Sequence, residues 1–290
     1  MPPTYPESME LTLALRPLLH PLLRQLRQGI SELTFANLYL FRHDHHYTLS
    51  RLADATLALL GRDGAAPFFM LPFGLPAPPL LDQLFRDHKE MKCVAKDQTE
   101  VLQERGYRVR PDRDNFDYLY RRRDLAELGG RNYHKKRNLI KAFVSSNPYT
   151  ALPLRTEHRL DALSIMAQWQ RETGQIGDAV AAREALARME ELQLCGGIYY
   201  VESRPVAFVL GEELALGASF AIHFEKAVAG YKGLYQFINQ SFAAILPEIY
   251  ETINREQDMG DAGMRQAKLS YQPSGFVEKY RVSLPPTPPE

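Results

Sequence analysis

Between Asn254 and Gln272 the sequence NREQDMGDAGMRQAKLSYQ sets the carboxylates of Glu256, Asp258 and Asp261 beside Arg265 and Lys268, with Gly260 and Gly263 among them. Acyl transfer is a chemistry that uses such a set. It passes through a negatively charged tetrahedral centre, and a fixed cation or backbone donor aimed at that charge is often the largest catalytic contribution. Lys268 suits that role or the binding of a donor phosphate, and Arg265 can grip a phosphate through two parallel hydrogen bonds. Asp258 or Glu256 can accept the proton of the attacking group. Asp258-Met259-Gly260 reads as a strand leaving into a turn, with Asp261 as the N-cap of a short helix. Arg265 and Lys268, three apart, then share one face of that helix. The plainer alternative is that Asp258 and Arg265 pair to fix the turn, Lys268 lies on the surface and Tyr271, otherwise counted with the substrate- and phosphate-binding residues, is core, because structural ion pairs imitate sites.

A second constellation lies upstream. Residues 121–141 carry Arg121, Arg122, Arg123, Arg131, Lys135, Lys136, Arg137 and Lys141 against Asp124 and Glu127, a local charge of +6 in a chain with 35 basic and 35 acidic residues. A phosphodiester backbone fits such a surface, with salt-sensitive affinity. A solvated helix face paired with acidic neighbours is the other reading. On the helix, Tyr133, Ile140 and Val144 fall inward, whereas His134 and Lys135 project away. The run His43-Asp44-His45-His46 invites a metal, but alternation on a strand separates His43 and His45 from His46. No distant Cys, His or Glu set has ligand spacing, so no metal is expected and a polar loop edge or the wall of an acceptor pocket suits it better. Cys195 has no evident base beside it, and Trp169 sits at core spacing on a helix.

These residues need elements to hold them. At 290 residues, 45% hydrophobic and 24% charged, the chain is long enough for two cored domains, and its neutral charge names no partner. Cys93 and Cys195 form neither a disulfide framework nor a zinc knuckle, which suits a reducing cytoplasm. Glu7, Glu10, Pro17 and Pro21 are unlike a signal peptide. The uncharged part of residues 64–81 is broken by five prolines and Gly74, so it reads as a strand, Phe68–Leu71, and a proline-rich loop instead of a membrane span. Helices are expected over Leu11–Leu26, Leu80–His88, Gln98–Arg105, Asn132–Ser145, 157–171, Ala179–Leu194 and Leu234–Leu246. A turn over Gly174–Gly177 separates 157–171 from Ala179–Leu194, and the tail PPTPPE is expected to lack structure. Strands are expected over Tyr47–Leu60, Pro67–Leu71, Met91–Ala95, Tyr107–Arg110, Phe116–Tyr120, Tyr149–Leu154, a meander of Ile198–Val201, Val206–Leu210 and Ala218–Phe224, then Tyr250–Ile253 and Phe276–Val282. The whole is α+β (mixed α/β), with a boundary near 148 dividing 1–148 from 149–290.

The blocks DYLYRRRDLAELGGRNYHKKRNLIKAF (117–143) and INREQDMGDAGMRQAKLSYQP (253–273) resemble a bacterial family grouped with the C-terminal domain of phosphatidylglycerol lysyltransferase. The resemblance covers nearly the whole chain and extends distantly to the Fem peptidoglycan aminoacyltransferases. In such relatives an acidic residue and a glycine precede a Gly-Leu-x-x-Phe-Lys segment. Here Asp258, Gly260, Gly263, Met264, Arg265 and Lys268 take those places, with Ala267 where an aromatic stands. It implies two GNAT-like acyltransferase lobes side by side. It implies aminoacyl transfer from aminoacyl-tRNA to a lipid headgroup or amine, hence tRNA and an anionic lipid headgroup as partners, in the cytoplasm or at the membrane periphery. More broadly, a GNAT resemblance implies acyl-CoA as donor, and a non-catalytic RNA- or lipid-binding module is the third reading. Members that use acetyl-CoA carry Arg/Gln-x-x-Gly-x-Gly/Ala before a helix, where bare amides cradle the pyrophosphate. Gly230-Tyr231-Lys232-Gly233-Leu234-Tyr235 lacks the first residue and the small last one, though Lys232 and Gly233 can still hold another phosphate.

Overall fold

The computed structural model describes residues 1–174 and 177–285. The middle of the expected 174–177 turn and the last five residues of the proline-rich tail lie outside the described residues. In chain order the described strands are β1 (Met9–Glu10), β2 (Thr48–Arg51), β3 (Leu57–Asp63), β4 (Ala66–Met70), β5 (Glu90–Ala95), β6 (Arg108–Pro111), β7 (Asp117–Arg121), β8 (Tyr149–Pro153), β9 (Cys195–Val201), β10 (Arg204–Leu214), β11 (Ser219–Ala227), β12 (Thr252–Asn254), β13 (Gly275–Val277) and β14 (Lys279–Ser283). They form two mixed seven-stranded sheets, ordered β1-β2-β3-β4-β5-β14-β6 and β13-β7-β12-β11-β10-β9-β8. The mixed α/β class expected from the alternation of periods is the one observed.

The chain forms two compact units, one of Met1–Asp117 with the segment from Val277 onward, the other of Tyr118–Phe276. The first limit falls at 117, away from residue 148, because β7 pairs with β12 in the second sheet, and the C-terminal segment returns to the first unit. The expected single strand Phe276–Val282 is accordingly two strands, β13 and β14, in different sheets. Tyr47–Leu60 is likewise a hairpin, with Leu49 opposite Leu59 and a turn at Asp54 whose carboxylate accepts from Thr56 N. Ala179–Leu194 breaks at Arg188 (φ −123°, ψ 27°) into Ala179–Ala187 and Met189–Leu192. A short helix over Arg122–Glu127, not expected from the pattern, precedes His134–Ser146. On the latter, Ile140 is buried as expected, but the second inward residue is Phe143 and Val144 is exposed. Phe143 lies 4.8 Å, ring centre to ring centre, from Phe237, and the larger ring occupies the inner stripe.

In the first unit, Phe69, Phe85, Met91, Val94, Leu102 and Val282 close one core between the sheet and the helices Pro78–His88 and Lys96–Glu104. A charged group is buried in this unit. Lys279 Nζ donates to Asp117 Oδ1 at 2.6 Å and to Glu32, while Ser31 donates to Asp117 through N and Oγ, each at 2.9 Å. Lys279 and Asp117 are both essentially inaccessible. Burial opposes the ammonium charge, but Asp117 and Glu32 outweigh it and raise its pKa.

The second unit places its chemistry through two irregularities. Strand β10 pairs antiparallel with β11, Leu210 opposite Phe224 and Gly211 opposite Ile222, so His223 is one extra residue in β11, a bulge. A Cβ on Gly211 would lie 1.9 Å from Ala221 O, so only glycine allows this approach. The helix Leu234–Ile245 then crosses to β12, which pairs parallel with β11 only at Ser219, Phe220 and Ala221. Beyond Ala221 the two strands have no ladder between them. Removing the buried cation by Lys279→Met leaves two carboxylates without their partner. It is expected to destabilise the protein by about 3–5 kcal/mol, measured by urea denaturation.

Candidate functional site

After β12 the segment keeps two bonds to β7, Arg255 N donating to Tyr118 O at 3.0 Å and Tyr118 N to Glu256 O at 3.2 Å, but has no β11 ladder on its other side. Lys268 Nζ donates to Arg255 O at 2.5 Å, Glu256 O at 3.0 Å and Gln257 O at 2.6 Å. An ammonium has three protons, so three carbonyls engage it fully, and Lys268 acts as a clamp on the loop instead of facing a developing oxyanion. The clamp sits on the helix Ala262–Leu269, which Asp261 caps by accepting from Met264 N at 2.6 Å, as the sequence indicated. Fully buried Asp258 accepts from Arg265 Nε and Nη2, both at 2.8 Å, from Tyr118 Oη at 2.6 Å and from Gly260 N at 2.9 Å. The Arg265 guanidinium, over the opposition of burial, holds this carboxyl far below the usual carboxylate range. A base so weak cannot take a proton near neutrality. Asp258 and Arg265 therefore fix the turn, the plainer of the two sequence readings.

Glu256 is placed differently. Its φ of 55° turns the chain sharply, and its Oε1 lies 2.7 Å from His223 Nδ1, while His223 Nε2 lies 3.0 Å from Glu212 Oε1. The His223 side chain is 1% exposed, Glu212 7% and Glu256 20%, so Glu256 is the member that meets solvent. Burial would lower the imidazole pKa, but the hydrogen bonds and charges of Glu212 and Glu256 outweigh it and raise it to about 10. Two residues along β11, Glu225 Oε1 accepts from Arg255 Nη2 at 3.0 Å. Both pairs bridge the gap where β11 and β12 lack a ladder. His223 and Glu212 were not singled out by sequence reasoning. Their signal was local: Glu212 follows the apolar run Val206–Gly211, and His223 interrupts the apolar run Phe220–Phe224.

The basic helix is tied to the same loop. Lys136 Nζ donates to Ser270 Oγ at 2.7 Å and lies 3.8 Å above the Tyr271 ring, and Arg255 lies 5.3 Å from that ring. Tyr271 is buried, with its carbonyl accepting from Tyr133 Oη at 2.9 Å. Arg131, His134, Lys135, Lys136 and Arg137, with Ser270 and Gln272, line a groove of about 850 Å³. Not every cation of the block is presented there. Arg122 donates to Ala243 O at 3.2 Å, Arg123 to Glu127 at 2.8 Å, and Arg137 also caps the preceding turn at Gly130 O, 2.7 Å.

Other expected residues lie apart from this cluster. Gly233 has φ 88°, and a Cβ there would come 2.1 Å from Leu139 O, so the glycine is required by the close approach of another helix. Lys232 is exposed beside it. His43 and His46 lie in a turn, not on a strand, and line a cavity of about 1080 Å³ in the first unit; His45 Nδ1 is 2.7 Å from Asp63 Oδ1. Among the described residues no group of three His, Cys, Asp or Glu is placed to hold a metal. Burial raises the pKa of both Cys195 and Cys93, which suits neither to nucleophilic attack. Trp169 is core, with Lys226 Nζ 4.0 Å above its ring. No described helix is long and apolar enough to cross a membrane.

The family model for the C-terminal region of phosphatidylglycerol lysyltransferase matches residues 23–283. The chain belongs to that family. It is similar to a conserved protein of unknown function from Bacteroides thetaiotaomicron, at 31% identity and TM-score 0.85 over 96% of this chain and 99% of the other. Its fold is that of the C-terminal domain of an Agrobacterium fabrum protein named as a lysylphosphatidylglycerol synthetase (12% identity, TM-score 0.66, covering 94% and 93%). It is also that of FemX (8% identity, TM-score 0.58, covering 95% and 96%). The architecture is thus the two-lobed, GNAT-like one, and the family is one of acyltransferases in the general sense. The chain spans about half the length of the curated protein it matches, from Mycoplasmoides gallisepticum, with 22% identity over 176 residues, 58% of this chain and 56% of that protein.

Two outcomes follow from this geometry. Lys268→Met removes a donor from three carbonyls, of which Glu256 O keeps Tyr118 N, and is expected to destabilise the protein by about 1–3 kcal/mol, with faster proteolysis within 255–260. Because His223 has a raised pKa when folded, its contribution to stability is complete below its ordinary value of 6.5 and is lost as the pH rises through about 10. Unfolding free energies of the wild type and His223→Gln, measured across that range, are expected to converge toward its alkaline end.

Proposed function

We propose that the chain is an aminoacyltransferase, taking an aminoacyl group from aminoacyl-tRNA and passing it to a lipid headgroup or another amine acceptor. The observation that carries this reading is the basic groove along 131–137, joined through Ser270 and Tyr271 to the loop that presents Glu256. A polyanionic donor bound there meets guanidinium and ammonium groups that follow a phosphodiester backbone. Glu256 accepts the proton of the attacking amine or hydroxyl, and Lys268, Asp258 and Arg265 hold the loop in place before substrate arrives. Each of the four functional side chains thus acts either at the proton or on the backbone that presents it.

Acyl-CoA as donor is less well supported. The turn before Leu234–Ile245, where a pyrophosphate would seek bare amides, has the Leu139 carbonyl packed against Gly233. A carbonyl oxygen at a helix N-terminus opposes an anion there. A lipid acceptor would bring the protein to the membrane periphery, on its cytoplasmic face where aminoacyl-tRNA is found.

The test is transfer of radiolabel from aminoacyl-tRNA into the lipid fraction of phosphatidylglycerol vesicles, or onto a soluble amine, with binding of tRNA and coenzyme A titrated in parallel. Arg131→Glu/Lys135→Glu is expected to weaken tRNA binding and reduce its salt slope by about 2. Glu256→Gln is expected to lower turnover about 10²–10⁴-fold while leaving tRNA affinity unchanged. Saturable coenzyme A binding without tRNA binding would overturn the choice of donor. Binding of tRNA with no acyl product from any acceptor would favour a non-catalytic module.

A further inference from the structure

We infer that Glu212 is a positioning residue for the reaction: acting through His223, it fixes the ionisation and orientation of the Glu256 carboxylate without touching substrate. The inference rests on the reading of Glu256 as proton acceptor, but its central claim concerns the state of the imidazole.

The geometry gives each nitrogen of His223 a carboxylate oxygen, Glu256 Oε1 at 2.7 Å and Glu212 Oε1 at 3.0 Å. An ionised carboxylate only accepts hydrogen bonds, so an imidazole between two of them must donate from both nitrogens and carry a positive charge. A neutral imidazole would leave two buried negative charges facing one proton, which is costly in a site this enclosed. With the imidazolium in place, the triad has a net charge of −1 and every contact is charge-assisted.

The surroundings leave Glu212 no other evident task. It lies behind the histidine from solvent, 7% exposed, whereas Glu256 is 20% exposed. The elements around the imidazole supply few competing charges. Strand β10 offers Glu212; the segment after β12 offers Glu256; β11 itself carries Glu225, which is paired with Arg255; β9 brings Cys195 opposite Gly211. The bulge at His223 turns the side chain into this position, and Gly211 allows the close backbone approach immediately before Glu212.

During transfer, the acceptor's N–H or O–H proton passes to Glu256 as the acceptor atom bonds to the aminoacyl carbonyl carbon. When the tetrahedral centre collapses, the C–O bond to the tRNA ribose breaks and the departing oxygen takes that proton back. His223 keeps both of its protons throughout. Its positive charge keeps Glu256 ionised until the acceptor arrives, and Glu212 keeps His223 positive. Without Glu212 the imidazole loses its proton more easily, and the Glu256 carboxylate then loses its charge-assisted hydrogen bond.

The experiment is an NMR titration of protein labelled with ¹³C-histidine, run beside the pH profile of transfer, for the wild type, Glu212→Gln and Glu212→Asp. In the wild type, the His223 ring is expected to stay doubly protonated across neutrality and titrate near 10. Glu212→Gln is expected to lower that midpoint by at least about one pH unit and to move the acid limb of kcat to higher pH with KM unchanged. Glu212→Asp is expected to restore both in part. A wild-type His223 titrating at an ordinary value, or a midpoint indifferent to Glu212→Gln, overturns the inference. If Glu212→Gln does not fold, the wild-type titration and Glu212→Asp decide it. Absence of transfer by the wild type would count against the aminoacyltransferase reading alone, because the ring titration does not depend on activity.

Discussion

The parallel ladder between β11 and β12 ends after Ala221 and Asn254, and the second unit is arranged around the consequences. A parallel pair that stops in mid-sheet leaves backbone carbonyls without donors and opens a wedge into an apolar interior. Neither condition is tolerated unless other groups take the missing hydrogen bonds. Lys268 bonds three carbonyls there, one of them shared with Tyr118 N, and the ion pairs Arg255–Glu225 and His223–Glu256 span the opening itself. The polar cluster is therefore a direct result of an interrupted sheet.

Charged groups placed in this way are stable only as a set. Fully buried Asp258 is compatible with its surroundings because a guanidinium, a phenol and a backbone N–H all point at it. These contacts also remove it from acid–base chemistry, since each one favours the ionised form. Glu256 has the His223 ring on one side and is partly exposed.

The first unit shows the same economy of charge in a structural setting. Lys279, Asp117, Glu32 and Ser31 satisfy one another at positions far apart in the sequence, where the chain leaves the unit and where it returns. Breaking such a buried set is costly, whereas an apolar replacement of the whole set need not be. Its value lies in specifying that the C-terminal strand β14 takes its place between β5 and β6.

Much of this was legible in the residues. The Asp261 cap, the face shared by Arg265 and Lys268, the β9–β10–β11 meander and the crossover helix all follow from short-range rules of capping, helical period and alternation, and each was found where those rules put it. The basic block at 121–141 was equally plain, though composition did not show that Arg122 and Arg123 have structural partners. What the sequence could not determine was set by register between distant strands. That His223 is a bulged residue, that Glu212 and Glu256 reach its two nitrogens from positions 11 before and 33 after it, and that residues 275–283 divide between two sheets are properties of pairing. Local periodicity fixes which face a side chain takes on its own element. Only the tertiary structure decides which charge stands opposite, because burial makes the partner obligatory without naming it.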